Sequence, residues 1–172
     1  MALSAKNNQE LENILMPALE KAIDYVVQKI WNDNRELIRT IVYESYQPEE
    51  YERTGEFKEA WDTDVKRLGN FVHGEMKYDP RELTVNYSKW QHGSEYLQQP
   101  MTTYLAEIIY QGLSGDLFGE GTWTKKRDVW EALNKKIGIR KIKQYFEEGM
   151  RKNGLNFRGH TASVQVTKYD EK

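Results

Sequence analysis

Tyr46-Gln47-Pro48-Glu49-Glu50-Tyr51-Glu52-Arg53-Thr54-Gly55-Glu56-Phe57 is the stretch at which one periodicity gives way to another. Pro48 supplies no amide proton and pushes Gln47 out of the α region, so a helix running through Tyr43 ends close to Tyr46. Gly55 takes φ > 0 at little steric cost, and Thr54 can bond neighbouring backbone. Phe57, Trp61, Thr63 and Val65 then follow the strand period of two. The stretch is a corner between a helix and a sheet, and the fold reads outward from it.

On the N-terminal side, Leu11, Ile14, Leu15, Ala18, Ala22, Val26, Ile30, Leu37, Ile38 and Ile41 form a helical stripe. This predicts a long helix over 10–46, or two helices meeting at Asn32-Asp33-Asn34, with Pro17 suited to the first turn of a helix. Unbroken, such a rod is on the order of 50 Å long at 1.5 Å per residue. Its far end is buried either by bending over its own sheet or by a neighbouring subunit.

On the C-terminal side, a hairpin is expected over 56–78: a strand from Phe57 to Val65, a turn at Arg67-Leu68-Gly69-Asn70, and a strand from Phe71 to Tyr78. Asp79-Pro80 stops it, and Leu83, Val85 and Tyr87 alternate in a shorter candidate strand. Residues 88–99 read as an ordered loop. A helical block over 100–153 follows, with Pro100 opening one helix, Gly112 closing it, a second helix starting near Thr124, and a break at Gly138. Val129, Trp130, Leu133, Ile137, Ile139, Ile142, Tyr145, Phe146 and Met150 are its expected inward residues. Ala162, Val164 and Val166 then mark a C-terminal strand over 161–169. The pattern is that of one α+β domain spanning 1–172, with a long N-terminal helix and an antiparallel sheet, hairpin plus C-terminal strand, packed against helices.

The corner resembles the signature of a family of small virion proteins of tailed bacteriophages, described as neck, head–tail connector or tail-completion proteins. Tyr46, Pro48, Tyr51, Arg53, Thr54 and Gly55 stand at the family's spacing. Phe57 stands where that family usually has Leu, and Ala60 where it often has Ser. The resemblance implies a structural protein of the virion, made in the host cytoplasm. It implies a ring of copies at the head–tail junction, around the channel through which DNA leaves. Its implied partners are further copies of itself and other neck, portal-adaptor or tail proteins, with DNA near by in the channel and no membrane. A tail-terminator role is a close alternative. In this picture Tyr46, Tyr51 and Arg53 fix the corner, Arg53 by pairing with a carboxylate or capping a helix C-terminus.

Composition sets the outer bounds. A chain of 172 residues fits one domain of about 100–200 residues. Five Trp and eleven Tyr provide packing material that a disordered chain lacks, despite 30% charged residues. No apolar run approaches the roughly 20 residues of a membrane-spanning helix, and the first residues lack the apolar core of a secretory signal, so a soluble intracellular product is expected. Without cysteine there are no disulfides, thiolate ligands or Cys nucleophiles. The net charge of −2 hides a division: residues 1–123 carry twelve Lys+Arg against twenty-one Asp+Glu, and residues 124–152 carry ten against four. Such separation fits charge complementarity between copies, a basic face towards an anionic partner, or a solvated helix pair.

No catalytic, cofactor or metal constellation emerges. The loop holding Gly112, Gly115, Phe118, Gly119 and Gly121 lacks the Gly-Lys-Ser/Thr of a phosphate-binding loop, and Asp116 and Glu120 would repel phosphates. It reads instead as an interface loop ordered on assembly, or as an ordinary turn-rich loop. His73, His92 and His160 have no metal-ligand spacing. Asp62, Asp64 and Glu75 could meet across the hairpin as a Mg²⁺ site of a nuclease, but Asp62 and Asp64 lie opposite Trp61, Thr63 and Val65, as on the solvent face of a one-sided sheet. Lys125, Lys126, Arg127, Lys135, Lys136, Arg140, Lys141 and Lys143 keep a nucleic-acid-binding accessory role open, although the pI near 6.0 is low for a DNA binder.

Overall fold

The computed structural model describes residues 6–45, 55–83, 105–112 and 126–155. Helix α1 runs from Asn8 to Leu37 and passes without interruption through Asn32-Asp33-Asn34. Its start is fixed by the side chain of Asn7, whose Oδ1 accepts from the Glu10 N–H at 2.8 Å, while the Glu10 carboxylate accepts from the Lys6 N–H at 2.8 Å. Pro17 lies well inside the helix rather than in its first turn. It is tolerated there because its ring is on the exposed side, where water can reach the carbonyl it leaves without an amide partner.

At Ile38 the winding changes to a π-helical turn, Ile38–Tyr43, in which the Glu44 N–H reaches back to the Arg39 carbonyl at 2.9 Å. The Thr40 hydroxyl donates to the carbonyls of Glu36 and Leu37 at 3.1 and 3.2 Å, drawing those acceptors away from the regular ladder.

The hairpin has strands β1, Trp61–Leu68, and β2, Phe71–Tyr78. Phe57 is not in the strand. It belongs to a single 3₁₀ turn, Glu56–Lys58, and β1 continues past Val65 to Leu68. The connection is only Gly69-Asn70. Gly69 at φ +65 is followed by a residue of negative φ, the II′ pattern that suits the twist of paired strands. This turn sets Trp61 opposite Tyr78, whose rings are 5.6 Å apart, and Val65 opposite Gly74. After β2, Pro80–Glu82 form a 3₁₀ turn leading to Leu83. Of the expected third strand, Val85 and Tyr87 lie outside the described residues, as does the expected strand over 161–169.

The remaining helices are α2, Leu105–Gln111, α3, Val129–Ile137, and α4, Ile139–Lys152. The Gly112 N–H accepts its place at the end of α2 by donating to the Ile108 carbonyl at 2.9 Å, with Gly112 at φ +75. Asp128 caps α3, its Oδ1 accepting from the Glu131 N–H at 2.7 Å. Gly138 separates α3 from α4 as the sequence predicts. Val129, Leu133, Ile137, Tyr145 and Met150 are buried, but Ile139 is 57% exposed. It precedes the inward stripe of α4 by too few residues to share its face.

The fold is α+β, with the described residues in two compact units. The first draws on Met1–Lys29, Asp64–Glu75 and Lys136–Lys172. In it Ala22 of α1 meets Gly149 of α4 so closely that a Cβ on Gly149 would lie 2.9 Å from the Ala22 Cα. The Tyr25 hydroxyl donates to Glu148 at 3.2 Å, and the Lys152 ammonium sits 4.2 Å over the Tyr25 ring. The second unit draws on Ile30–Thr63 and Met76–Lys135. Its core joins Ile38, Val42, Phe57, Ala60, Trp61, Tyr78, Ile109 and Val129.

Candidate functional site

The corner is built inside the second unit, from the end of α1, the π-turn, the 3₁₀ turn and the start of the hairpin. Gly55 has φ +77 and ψ 1, the left-handed conformation expected of it, and leads directly into the turn that carries Phe57. Phe57 is only 4% exposed. Its ring centroid lies 6.2 Å from Trp61, 5.8 Å from Tyr78 and 6.3 Å from Tyr110, and Trp61 stacks on Tyr110 at 6.2 Å with an interplanar angle of 13°. Four rings from three separate segments thus meet around Phe57, in offset and edge-to-face arrangements that complement their quadrupoles. Ala60 is fully buried beside them, so the small side chain that stands in for Ser fits a close-packed site.

Polar contacts tie α1 to the hairpin start. The Trp31 indole N–H donates to the Trp61 carbonyl at 2.9 Å. One turn on, Arg35 lies with its guanidinium carbon 4.6 Å from the Trp31 ring centroid and pairs with Glu59. At the other end of the corner, Arg127 is 7% exposed. Its Nε donates to the Ser45 hydroxyl at 3.4 Å, Ser45 donates to the Val42 carbonyl at 3.1 Å, and the Arg127 N–H donates to the Ile109 carbonyl at 3.1 Å. Arg127 therefore brings positive charge to the C-terminal end of the π-turn, where helix carbonyls favour it.

Three polar groups in this unit are buried without a partner: both amide atoms of Asn34, the Trp61 indole N–H and the Tyr110 hydroxyl. Burial raises the Tyr110 phenol well above its ordinary ionisation range. The Arg81 guanidinium, hydrogen-bonded to Asp79, lowers that carboxyl to about 2.

Of the residues singled out in sequence, Gly55 and Phe57 are brought into the corner and Gly112 closes α2. Tyr46, Pro48, Tyr51, Arg53 and Thr54, with Gly115, Phe118, Gly119 and Gly121 of the second candidate loop, lie outside the described residues. Arg127 departs from expectation: read in sequence as part of an exposed basic run, it is buried against the corner. Trp31 and Tyr110 were also not anticipated there, since each sits in a helix whose sequence shows only an apolar stripe. On the hairpin, Asp64 pairs with Lys66, and Glu75 lies 3.6 Å from His73. Among the described residues, no group of three or more His, Asp or Glu side chains is placed to hold a metal ion, and no helix is long and apolar enough to cross a membrane.

Residues 7–152, which include the whole corner, match the model of the YomN family. The chain belongs to the YomN family. The family's name is of a prophage type and points to a phage protein. No curated protein and no solved structure matches the chain.

Proposed function

We propose that this YomN-family chain is a structural virion protein of a tailed phage, not an enzyme, forming a ring at the head–tail interface around the DNA exit channel. The observation that carries the reading is the corner: the Tyr46 to Gly55 motif lies within the family match, and Gly55 turns the backbone so that Phe57 enters a four-ring cluster. A corner of this kind fixes the angle between a long helix and a hairpin, and a fixed angle is what a subunit needs if every copy is to meet its neighbour alike.

Particles made without this chain are expected to be filled heads unattached to tails, and wild-type particles to carry its density at the junction by electron microscopy. Gly55→Val, which forces a β-branched residue to φ +77, should fail to restore joined particles. A chain that is absent from purified particles, or joined particles formed without it, would refute the proposal. Density at the upper end of the tail would assign the terminator role instead.

A second reading, a nucleic-acid accessory protein, is favoured by residues 135–152, where seven Lys+Arg face two Glu. It predicts duplex binding that weakens steeply with salt.

A further inference from the structure

We infer that copies of this chain associate head to tail, the hairpin tip and α1 start of one docking on the α4 start of the next. The inference rests on the assembly reading above for its setting, and on surfaces of the first unit alone for its content.

Among the described residues four large apolar side chains are substantially exposed: Leu11 at 45%, Leu68 at 58%, Phe71 at 69% and Ile139 at 57%. Leu68 and Phe71 flank the Gly69-Asn70 turn, so they stand side by side on the outer face of the hairpin. The ion pair of Arg67 with Glu12, at 3.0 Å, holds this tip at the start of α1, where Leu11 lies between Glu10 and Glu12. Ile139 opens α4 in a wholly different setting. Residues 136–143 hold four cations, Lys136, Arg140, Lys141 and Lys143, and no carboxylate.

These two surfaces lie at opposite ends of one unit. Gly149 packs on Ala22, Glu148 meets Tyr25, and Tyr145 lies near Lys29, so α4 runs antiparallel to α1. Ile139 is ten residues before Gly149, and Glu12 is ten before Ala22. At 1.5 Å per residue the two surfaces are about 30 Å apart. A contact between unlike surfaces at opposite ends leaves each new copy with one surface unused, so it propagates to a ring or filament and never saturates as a dimer.

Charge selects the occupant. Over Asn8–Lys29, α1 carries four carboxylates against two lysines, and the chain outside 135–152 has a balance of −7. A second copy therefore offers both the anionic surface that the α4 start lacks and apolar side chains to cover Ile139. A phosphate backbone offers charge but nothing to cover an isoleucine.

The test uses the full chain and two variants, Phe71→Asp and Ile139→Asp, each at a side chain more than half exposed. Wild type should grow beyond two copies with concentration in sedimentation velocity, and each variant alone should remain at the 20.3 kDa monomer. An equimolar mixture should yield a species of two chains and stop there, because one intact surface of each kind remains. That complementation also shows that both variants are folded. Association of both variants like wild type would overturn the inference while leaving the virion location of the chain intact. So would a wild type that stays monomeric at every concentration, or variants that lose self-association and show no recovery on mixing. Salt-sensitive retention of duplex DNA by monomeric wild type, lost in Ile139→Asp, would assign the α4 surface to nucleic acid instead.

Discussion

Gly149→Ala sets two effects of one methyl group against each other. In an isolated helix, alanine is favoured over glycine by about 1 kcal/mol. Here the added Cβ would lie 2.9 Å from the Ala22 Cα, 3.0 Å from the Ala22 carbonyl oxygen and 3.2 Å from the Ala22 Cβ. Two of those atoms are backbone in the middle of a 30-residue helix, so relief requires α1 and α4 to separate rather than a side chain to rotate. Overpacking of this kind costs about 1–3 kcal/mol. The clash wins, and a net loss of about 1–2 kcal/mol should lower the melting temperature, followed by circular dichroism, by roughly 2–8 °C. Gly138→Ala is the control: no atom lies within 4 Å of the added Cβ and φ is −34, so it should melt within about 1 °C of wild type. A Gly149→Ala variant that melts at or above wild type would refute the close helix contact.

Phe57→Ala should cost about 3–5 kcal/mol, read as a fall in the urea midpoint, because it empties the space shared by three other rings. A loss below about 1 kcal/mol would show that Phe57 is not central to the corner. Asn34→Leu should raise stability by about 1–2 kcal/mol, since it removes a fully buried amide without partners; a lowered urea midpoint would show that the amide is satisfied. The Asp79 carboxyl should titrate at about 2 by NMR and move up towards its ordinary 3.8 in Arg81→Ala. Because its folded value is the lower one, the stabilisation is present above about pH 3.8 and is lost as pH falls towards 2; an unshifted midpoint in wild type would contradict the pairing.

The elements set by local chemistry were readable in the sequence. Pro48 and Gly55 placed the corner, the apolar stripe gave α1, and Gly112, Gly138 and Gly154 marked helix ends. The errors fall where a distant contact decides. Phe57 fits a strand by spacing, yet its burial among Trp61, Tyr78 and Tyr110 places it in a 3₁₀ turn. Arg127 cannot be told from its lysine neighbours in sequence, because the Ser45 hydroxyl it reaches is 82 residues away. Pro17 invites a helix start, but the Asn7 and Glu10 caps decide that boundary earlier. The close approach at Gly149 left no mark at all, since a helical glycine declares its partner only when the partner helix is in place.

The π-turn from Ile38 to Tyr43 gives the chain one residue of slack. A turn that bonds five residues back holds one residue more than α winding needs. Deleting Thr40 would let that turn close as an ordinary α-turn, with the stripe before it and the ring cluster after it keeping their partners. The same deletion earlier in α1 would rotate everything beyond it by about 100° and carry Asn34 and Ile38 off the buried face. Length in this helix is therefore adjustable at one place, immediately ahead of the corner, and a lineage can gain or lose a residue there without redrawing the core.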